Sequence, residues 1–548
     1  MGQRARPLVL TVVDTTGIQE YIFNSNKLQH SIGASYLVDW ATHGAVYESL
    51  RQLEEGSATN VDGNGAIDAA KEVGVNGVTS ELIYAGGGNA AMLFRDSPLA
   101  HQFARTLTRR VLDKAPGLNL VLVHYELASE PLAIAVQQAL KQLARKKLNR
   151  RHATPLLGLG VTAACNYTGL PAVAEDDGRL LSAEIEAKAK VIGDANRRLS
   201  DAVGTLLLGA QLDFIYDFDQ LGSKGESSYM AVVHIDGNGM GRRVEGLVRE
   251  YGKDDDAYIH AMRSFAASVH SVADRALQES VRLLQIAIER DGDDQKRGDG
   301  KERIGGVVPV NDDRLPFRPI VFGGDDITFV CDGRLGLTLA EFYLRMLEQE
   351  LWYGGKLYAR AGVAVVKSHY PFARAYELAE ELAGSAKQFI REQPAVSEEH
   401  GYSAMDWHFG VNGLVLGLNA LRARDYQHPT SGALHMRPLL AGSAEAPGVW
   451  RTWSTFEAII DGFCDENGEW VQNRSKLKRL RRALRDGPDA TEQFLRVATP
   501  GRRLYEVPGM PDTAETGWID GDRSTSFDAV EALDFYVPLA RATAPGGV

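Results

Sequence analysis

Ile320-Val321-Phe322-Gly323-Gly324-Asp325-Asp326-Ile327-Thr328-Phe329-Val330 is the stretch on which the reading of this chain turns. Apolar and β-branched residues on both sides of two glycines and two acids predict strand, tight turn, strand. Gly323 and Gly324 tolerate the positive φ that such a corner needs and leave room above the backbone. Within a regular strand, neighbouring side chains point to opposite faces, so Asp325 and Asp326 can serve one site only where a corner breaks that alternation. Gly-Gly-Asp-Asp is also ordinary turn chemistry. A second feature lifts it above that: the apolar run Ala231-Val232-Val233-His234-Ile235 ends in Asp236-Gly237-Asn238-Gly239-Met240-Gly241 and supplies a third acid at a strand end.

Outward from this corner, the same landmarks recur in the first half of the chain, which reads as an internal duplication. Leu8 to Val13 is an apolar strand ending at Asp14, and Ile83 to Phe94 is a strand, turn, strand with Gly86-Gly87-Gly88-Asn89 at its corner. The third pair is Gly160 to Ala164 against Gly362 to Val366, and the fourth is a helical stretch ending in Lys190 or Lys387. Helical patterns such as Tyr258 to Ile288 and Leu335 to Trp352 separate the strands of the second half. Strand, helix, hairpin, helix, strand in each half predicts an α+β protein: two ferredoxin-like palm domains of the nucleotidyl-polymerase type in tandem, each an antiparallel sheet with helices on one face. The expected boundaries are 1–175 for a first, degenerate palm, 176–225 for a helical linker, 226–410 for the second palm, and 411–548 for a helical C-terminal domain. Asp291 to Gly306, almost without apolar side chains, is expected to be a mobile loop whose removal leaves the melting temperature nearly unchanged.

The chain has 548 residues, a hydrophobic fraction of 44% and a net charge of −12. These values exclude collagen-like, wholly disordered and membrane-embedded classes and argue against a protein whose whole surface coats nucleic acid. Three separated cysteines and an N-terminal apolar run too short for a signal peptide predict a cytoplasmic protein with no disulfide framework.

Nucleotidyl transfer with magnesium needs hard oxygen ligands a few ångströms apart, since Mg²⁺ is held by one or two carboxylates plus substrate phosphates. Asp236, Asp325 and Asp326 are the candidate metal ligands, with the backbone carbonyl of Ile235 as a further one. Gly237, Asn238, Gly323 and Gly324 are expected to make space for a nucleotide.

With these residues in view, the chain resembles the large polymerase-like subunit of type III CRISPR effector complexes, whose second palm carries Gly-Gly-Asp-Asp. The likeness rests on Gly17 to Phe23 and Gly33 to Leu37, on His234 to Gly241, on the Gly-Gly-Asp-Asp corner, and on Ala379-Glu380 through Ala386-Lys387. It implies conversion of ATP into cyclic oligoadenylates for antiviral defence, with two Mg²⁺ or Mn²⁺ ions held by Asp236, Asp325 and Asp326, and Lys387 meeting triphosphate oxygens. It also implies guide-RNA complex subunits or RNA as partners. A cyclic dinucleotide synthase and a non-catalytic nucleotide- or RNA-binding scaffold are the alternatives, and a homo-oligomer is a further option. The chain contains no His-Asp dipeptide, so the DNA-cleaving phosphohydrolase activity of many relatives is not expected, and the single thiol Cys165 predicts no structural zinc.

Other residues have plainer readings. Lys387 without the resemblance is a solvated cation. Ser35 and Ser268, on helices after each first strand, are candidates for contact with an adenine. The basic runs Lys141 to Arg151 and Arg474 to Arg485 suit phosphates or an acidic partner, although charged helix faces usually serve solubility alone. His234 reads as a packed strand residue. The first palm, with one acid where the second has three, is expected to bind or support and to perform no chemistry.

Overall fold

In the computed structural model, residues 7–53, 58–149, 160–204, 212–221, 228–290, 302–349, 351, 354–393, 401–410, 417–442, 448–464, 470, 474–519 and 522–539 are described. The first half begins with β1 (Leu8–Thr16), whose apolar residues are buried on both faces. It continues through α1 (Ile18–Phe23), α2 (Leu28–Thr42), α3 (Gly44–Arg51) and the short β2 (Ala58–Thr59). The hairpin β3 (Val78–Gly86) and β4 (Asn89–Phe94) follows, then α4 (Ser97–Lys114), β5 (Asn119–Leu127) and α5 (Leu132–Leu148). α4 starts where Asp96 accepts a hydrogen bond from the Leu99 amide at 3.0 Å, with Pro98 in the first turn, both favourable at a helix N-terminus. The strand order is β2-β3-β4-β1-β5, with β1 antiparallel to both of its neighbours.

A hairpin of β6 (Ala172–Asp176) and β7 (Arg179–Ser182) and the helices α6 (Ala183–Lys190) and α7 (Ile192–Val203) lead to the second half. After β8 (Asp213–Phe214) come β9 (Tyr229–Gly237), α8 (Met240–Tyr251) and α9 (Asp255–Ile286). Three short strands, β10 (Ile288–Arg290), β11 (Glu302–Ile304) and β12 (Val308–Pro309), pair with one another, and β13 (Arg314–Leu315) pairs with β8. Then follow β14 (Phe317–Val321), β15 (Asp326–Asp332), α10 (Gly336–Leu347), β16 (Ala359–Lys367), α11 (Phe372–Glu392) and β17 (Ser403–Gly410). This sheet runs β14-β15-β9-β16-β17-β20, so hairpin, first strand and last strand take the same places as β3-β4-β1-β5. Two palms of ferredoxin-like order thus stand in tandem.

The halves interlock through two shared cores. Along β9, Ala231, Val233 and Ile235 join one core with Phe265 of α9 and Leu337 of α10, while Met230 and Val232 join the other with Ala375 and Leu382 of α11. On β1, Leu10 and Val12 belong to the first core with Val136 of α5, and Val9 and Val13 to the second with Leu37 of α2 and Phe103 of α4. Each sheet is therefore covered on both faces, not on one. The central strands β1 and β9 accordingly read as nearly continuous apolar runs.

Other expectations also change. The first-half counterpart of β16 is β5, and Gly160 to Ala164 lies in turns, Ala164 making only an isolated bridge to Pro171. Residues 291–301 of the expected loop lie outside the described residues, but Glu302–Ile304 is a paired strand, Ile304 is fully buried, and a Cβ on Gly305 would meet Val537. Excision through Gly306 would remove packed structure. β16 lies so close to α11 that a Cβ on Gly362 would come within 1.9 Å of the Ala379 carbonyl oxygen. Gly362→Ala is expected to lower stability by about 1–3 kcal/mol, since the strand and helix backbones must part. Denaturant unfolding showing no loss would contradict this close packing.

The remaining chain is mixed: α12 (Leu418–Asp425), β18 (Gln427–His428), β19 (Gly432–Ala433), β20 (Leu439–Ala441), α13 (Trp453–Cys464), α14 (Arg474–Arg485) and α15 (Pro488–Ala498). It closes with α16 (Thr513–Thr516), β21 (Trp518–Ile519), β22 (Arg523–Ser524) and α17 (Phe527–Ala532). Helices predominate, yet four short strands form a sheet of their own and β20 extends that of the second palm. Among the described residues no helix is long and apolar enough to cross a membrane.

Candidate active site between the palms

Asp236 is the penultimate residue of β9 and Asp326 the first of β15, and the register sets them opposite each other. Directly opposed residues share a face, so both carboxylates leave the same side of the sheet. The next pair on that face is His234 with Thr328, joined at 3.1 Å. Burial, with Arg360 adding to it, holds the His234 imidazole down to about 4, so it is neutral and packed, as its strand position suggested. The Gly237 amide donates to the Asp325 carbonyl at 2.9 Å, and a Cβ on Gly237 would stand 3.0 Å from that of Asp325. Glycine here makes room for the second acid.

The corner is braced from outside. Gly323 has φ +96°, the region glycine alone enters freely. Arg198 of α7 donates to the Phe322 carbonyl at 2.9 Å, and His270 of α9 donates to the Gly323 carbonyl at 2.6 Å. Arg198 also pairs with Asp39 of α2 at 3.1 Å, tying the first palm to the acidic hairpin of the second. Opposite Asp236 on the other side of β9 stands Arg360, which forms an ion pair with its carboxylate and donates to the Gly237 carbonyl at 3.2 Å and to Asn238 Oδ1 at 3.0 Å. Asn238 donates in turn to the carbonyls of Tyr358 and Tyr402.

A cavity of about 1600 Å³ opens onto this edge. Asp236, Asp325, Asp326 and Thr328 form one wall, with Tyr376 and Glu380 of α11; the first palm supplies Thr15 to Asn24, Gly87 and Lys147. Gln19 bridges the walls by donating to the Tyr376 hydroxyl at 3.1 Å and to Glu380 at 2.9 Å. The first palm's own corner is built from Gly86, Gly87 and Gly88, all at positive φ. There Asp14 faces the uncharged Asn89 and is bound by Lys147 at 2.5 Å.

The three acids foreseen from sequence thus meet at one cavity, while other candidates stand outside its lining. Ser35 is buried on α2, whose neighbour Gly33 lies against the Lys188 backbone, and Ser268 donates to the Phe265 carbonyl of its own helix at 2.7 Å. Lys387 is half-buried on α11, two turns beyond Glu380. Ile235 sits mid-sheet between Ile327 and Ala361, so its carbonyl belongs to the ladder. Gly237, Asn238, Gly323 and Gly324 also stand outside the lining, next to the acids in sequence. Sequence reasoning noted Lys147 only as part of the basic run Lys141 to Arg151 and passed over Arg360, Arg198 and His270, because each reaches the site through pairing or packing across distant segments.

Whether these residues suit a divalent cation can be judged from their charges. Burial raises the Asp325 carboxyl, and burial together with the Asp325 charge pushes Asp326 up to about 6. Among the described residues neither has a cationic partner, and two crowded carboxylates without one are the situation a hard cation relieves. Asp236 is different, being engaged by Arg360. No group of three or more His, Cys, Asp or Glu side chains converges on one point among the described residues. The donor chemistry of Asp325 and Asp326 therefore suits a hard cation, whereas Asp236 is held by Arg360.

No protein family matches this sequence, and no curated protein is detectably similar to it. Among solved structures, the Csm1–Csm4 cassette in complex with pppApApA aligns over 97% of this chain and 70% of that one, with a TM-score of 0.52 and 13% identity. The fold is that of Csm1. Csm1 of T. onnurineus aligns over 96% of this chain and 69% of its own, with a TM-score of 0.47 and 13% identity. The resemblance read from the Gly-Gly-Asp-Asp corner holds at the level of the fold, including the tandem palms, although 13% identity to Csm1 leaves few residues in common.

Proposed function

We propose that this chain is a metal-dependent nucleotidyltransferase that joins ATP units into oligoadenylates and closes them into rings. The observation that carries the reading is the meeting of Asp236, Asp325 and Asp326 at a cavity whose other wall belongs to the first palm. A 3′-oxygen of one ATP attacks the α-phosphorus of another, the new P–O bond replaces the bond to pyrophosphate, and the 3′-hydroxyl proton passes to solvent. Two Mg²⁺ or Mn²⁺ ions held by the three acids would lower the pKa of the nucleophile and neutralise the leaving group. The chain's own contribution is to hold two nucleotides on facing walls, which supplies proximity and orientation. The fold relative was crystallised with pppApApA and with Csm4, which supports an adenylate ligand and a partner subunit of the Csm4 kind for this chain. In this reading 1–175 and 226–410 are the working palms, and the product serves as a messenger in antiviral defence.

A non-catalytic nucleotide-binding scaffold is favoured by one observation, the Arg360 guanidinium already seated on Asp236. Incubation with each nucleoside triphosphate and Mg²⁺ or Mn²⁺, followed by mass spectrometry, separates the two. The proposal expects ATP to yield pyrophosphate and products built from whole adenylate units; unchanged triphosphates under every condition would sink it in favour of the scaffold. Asp14, tied to Lys147 and facing Asn89, is expected to be dispensable for the chemistry. Asp14→Ala should leave the initial rate within about tenfold of the parent, roughly 1.4 kcal/mol of barrier.

A further inference from the structure

The charges around the cavity are lopsided. Glu20, Glu184, Asp236, Asp325, Asp326 and Glu380 line it, and among its described lining residues Lys147 is the one lysine or arginine. A nucleoside triphosphate brings about four further negative charges, and metal ions at Asp325 and Asp326 answer only those phosphates that reach the second palm. A nucleotide on the first-palm wall needs its own cation. Lys147 stands there, at the end of α5, about one-third exposed, with its ammonium on Asp14. On the same wall Thr15, Thr16, Gly87 and Leu120 are uncharged, and Glu20 is an acid.

We infer that Lys147 binds the phosphates of the nucleoside triphosphate on the first-palm wall and that Asp14 is a positioning residue, aiming the ammonium into the cavity. This rests on the proposed function and adds to it the group that holds the second nucleotide. An ammonium is a compact, rotatable donor suited to phosphate oxygens. Asp14 lies near the end of β1 as its counterpart Asp236 lies near the end of β9, so the first palm has kept the acid and turned it from a candidate metal ligand into a mount for a cation. A partly exposed ion pair contributes little to stability, so removing it leaves the fold able to report on binding.

The test uses the full chain in Mn²⁺ with three probes, a non-hydrolysable ATP analogue, AMP and adenosine, titrated calorimetrically. Lys147→Gln should weaken the ATP analogue about 10- to 100-fold, as loss of a charge-assisted hydrogen bond does, while adenosine is bound as before. Lys147→Arg should restore most of the preference for triphosphate, and Asp14→Asn, which keeps the cation but loosens its mount, should lower that preference about 2- to 10-fold, an unchanged ratio removing the positioning role from Asp14. If Lys147→Gln keeps the parental ratio of ATP-analogue to adenosine affinity, the pair is merely structural and the inference falls, with the proposed function untouched. If the unsubstituted chain binds neither nucleotide, both fall together.

Discussion

Replacing Asp325 and Asp326 together by Ala is expected to lower metal-dependent synthesis from ATP by more than about 10³-fold, some 4 kcal/mol of barrier. Both side chains line the cavity beside Asp236, and among the described residues neither has a cation to neutralise it. Without them Asp236 is the last of the three acids at the strand ends, and it is engaged by Arg360. One acid cannot offset the dehydration of two divalent ions. The fold should survive, because the substitution removes two repelling charges from a corner held by Arg198 and His270 through backbone carbonyls. Product formation is read by mass spectrometry and integrity by circular dichroism and melting; a double variant that works at the parental rate would place the chemistry elsewhere.

Thermal stability should rise by several degrees on adding Mn²⁺ at pH 8, and this response should vanish in Asp326→Asn. The Asp326 carboxyl is pushed up to about 6 in the folded chain from an ordinary 3.8, first by burial and then by Asp325. The folded state therefore holds this proton more tightly than the unfolded chain, and the slope of stability with pH is negative across that window. The contribution is full below about 3.8, declines as pH rises through about 6, and above it the ionised pair opposes folding by up to about 3 kcal/mol. A cation or an asparagine removes that opposition. Asp326→Asn should thus exceed the parent in stability at pH 8 and converge with it towards pH 4. An equal Mn²⁺ response in parent and variant would show that the ion binds somewhere else.

Local pattern determined much of this molecule. The runs Leu8 to Val13 and Ala231 to Ile235 each end in an acid, and the corners Gly86-Gly87-Gly88 and Gly323-Gly324 follow in the same order, so tandem palms and the three acids could be read from neighbours in the chain. Strand ends and hairpin corners are written in short stretches because φ, ψ and side-chain alternation are local properties. Tertiary structure decided the rest. That β5 and not Gly160 to Ala164 completes the first sheet depends on pairing across more than a hundred residues, and that each sheet is buried on both faces depends on helices from separate parts of the chain packing onto it. Arg360 on Asp236, Lys147 on Asp14 and Arg198 on the corner are long-range meetings with no mark of their own in the sequence. Ser35, Ser268 and Lys387 lie outside the cavity lining for the same reason. A residue type and its spacing limit what a side chain can do; which partner it finds is settled only when distant segments pack and their charges must be balanced.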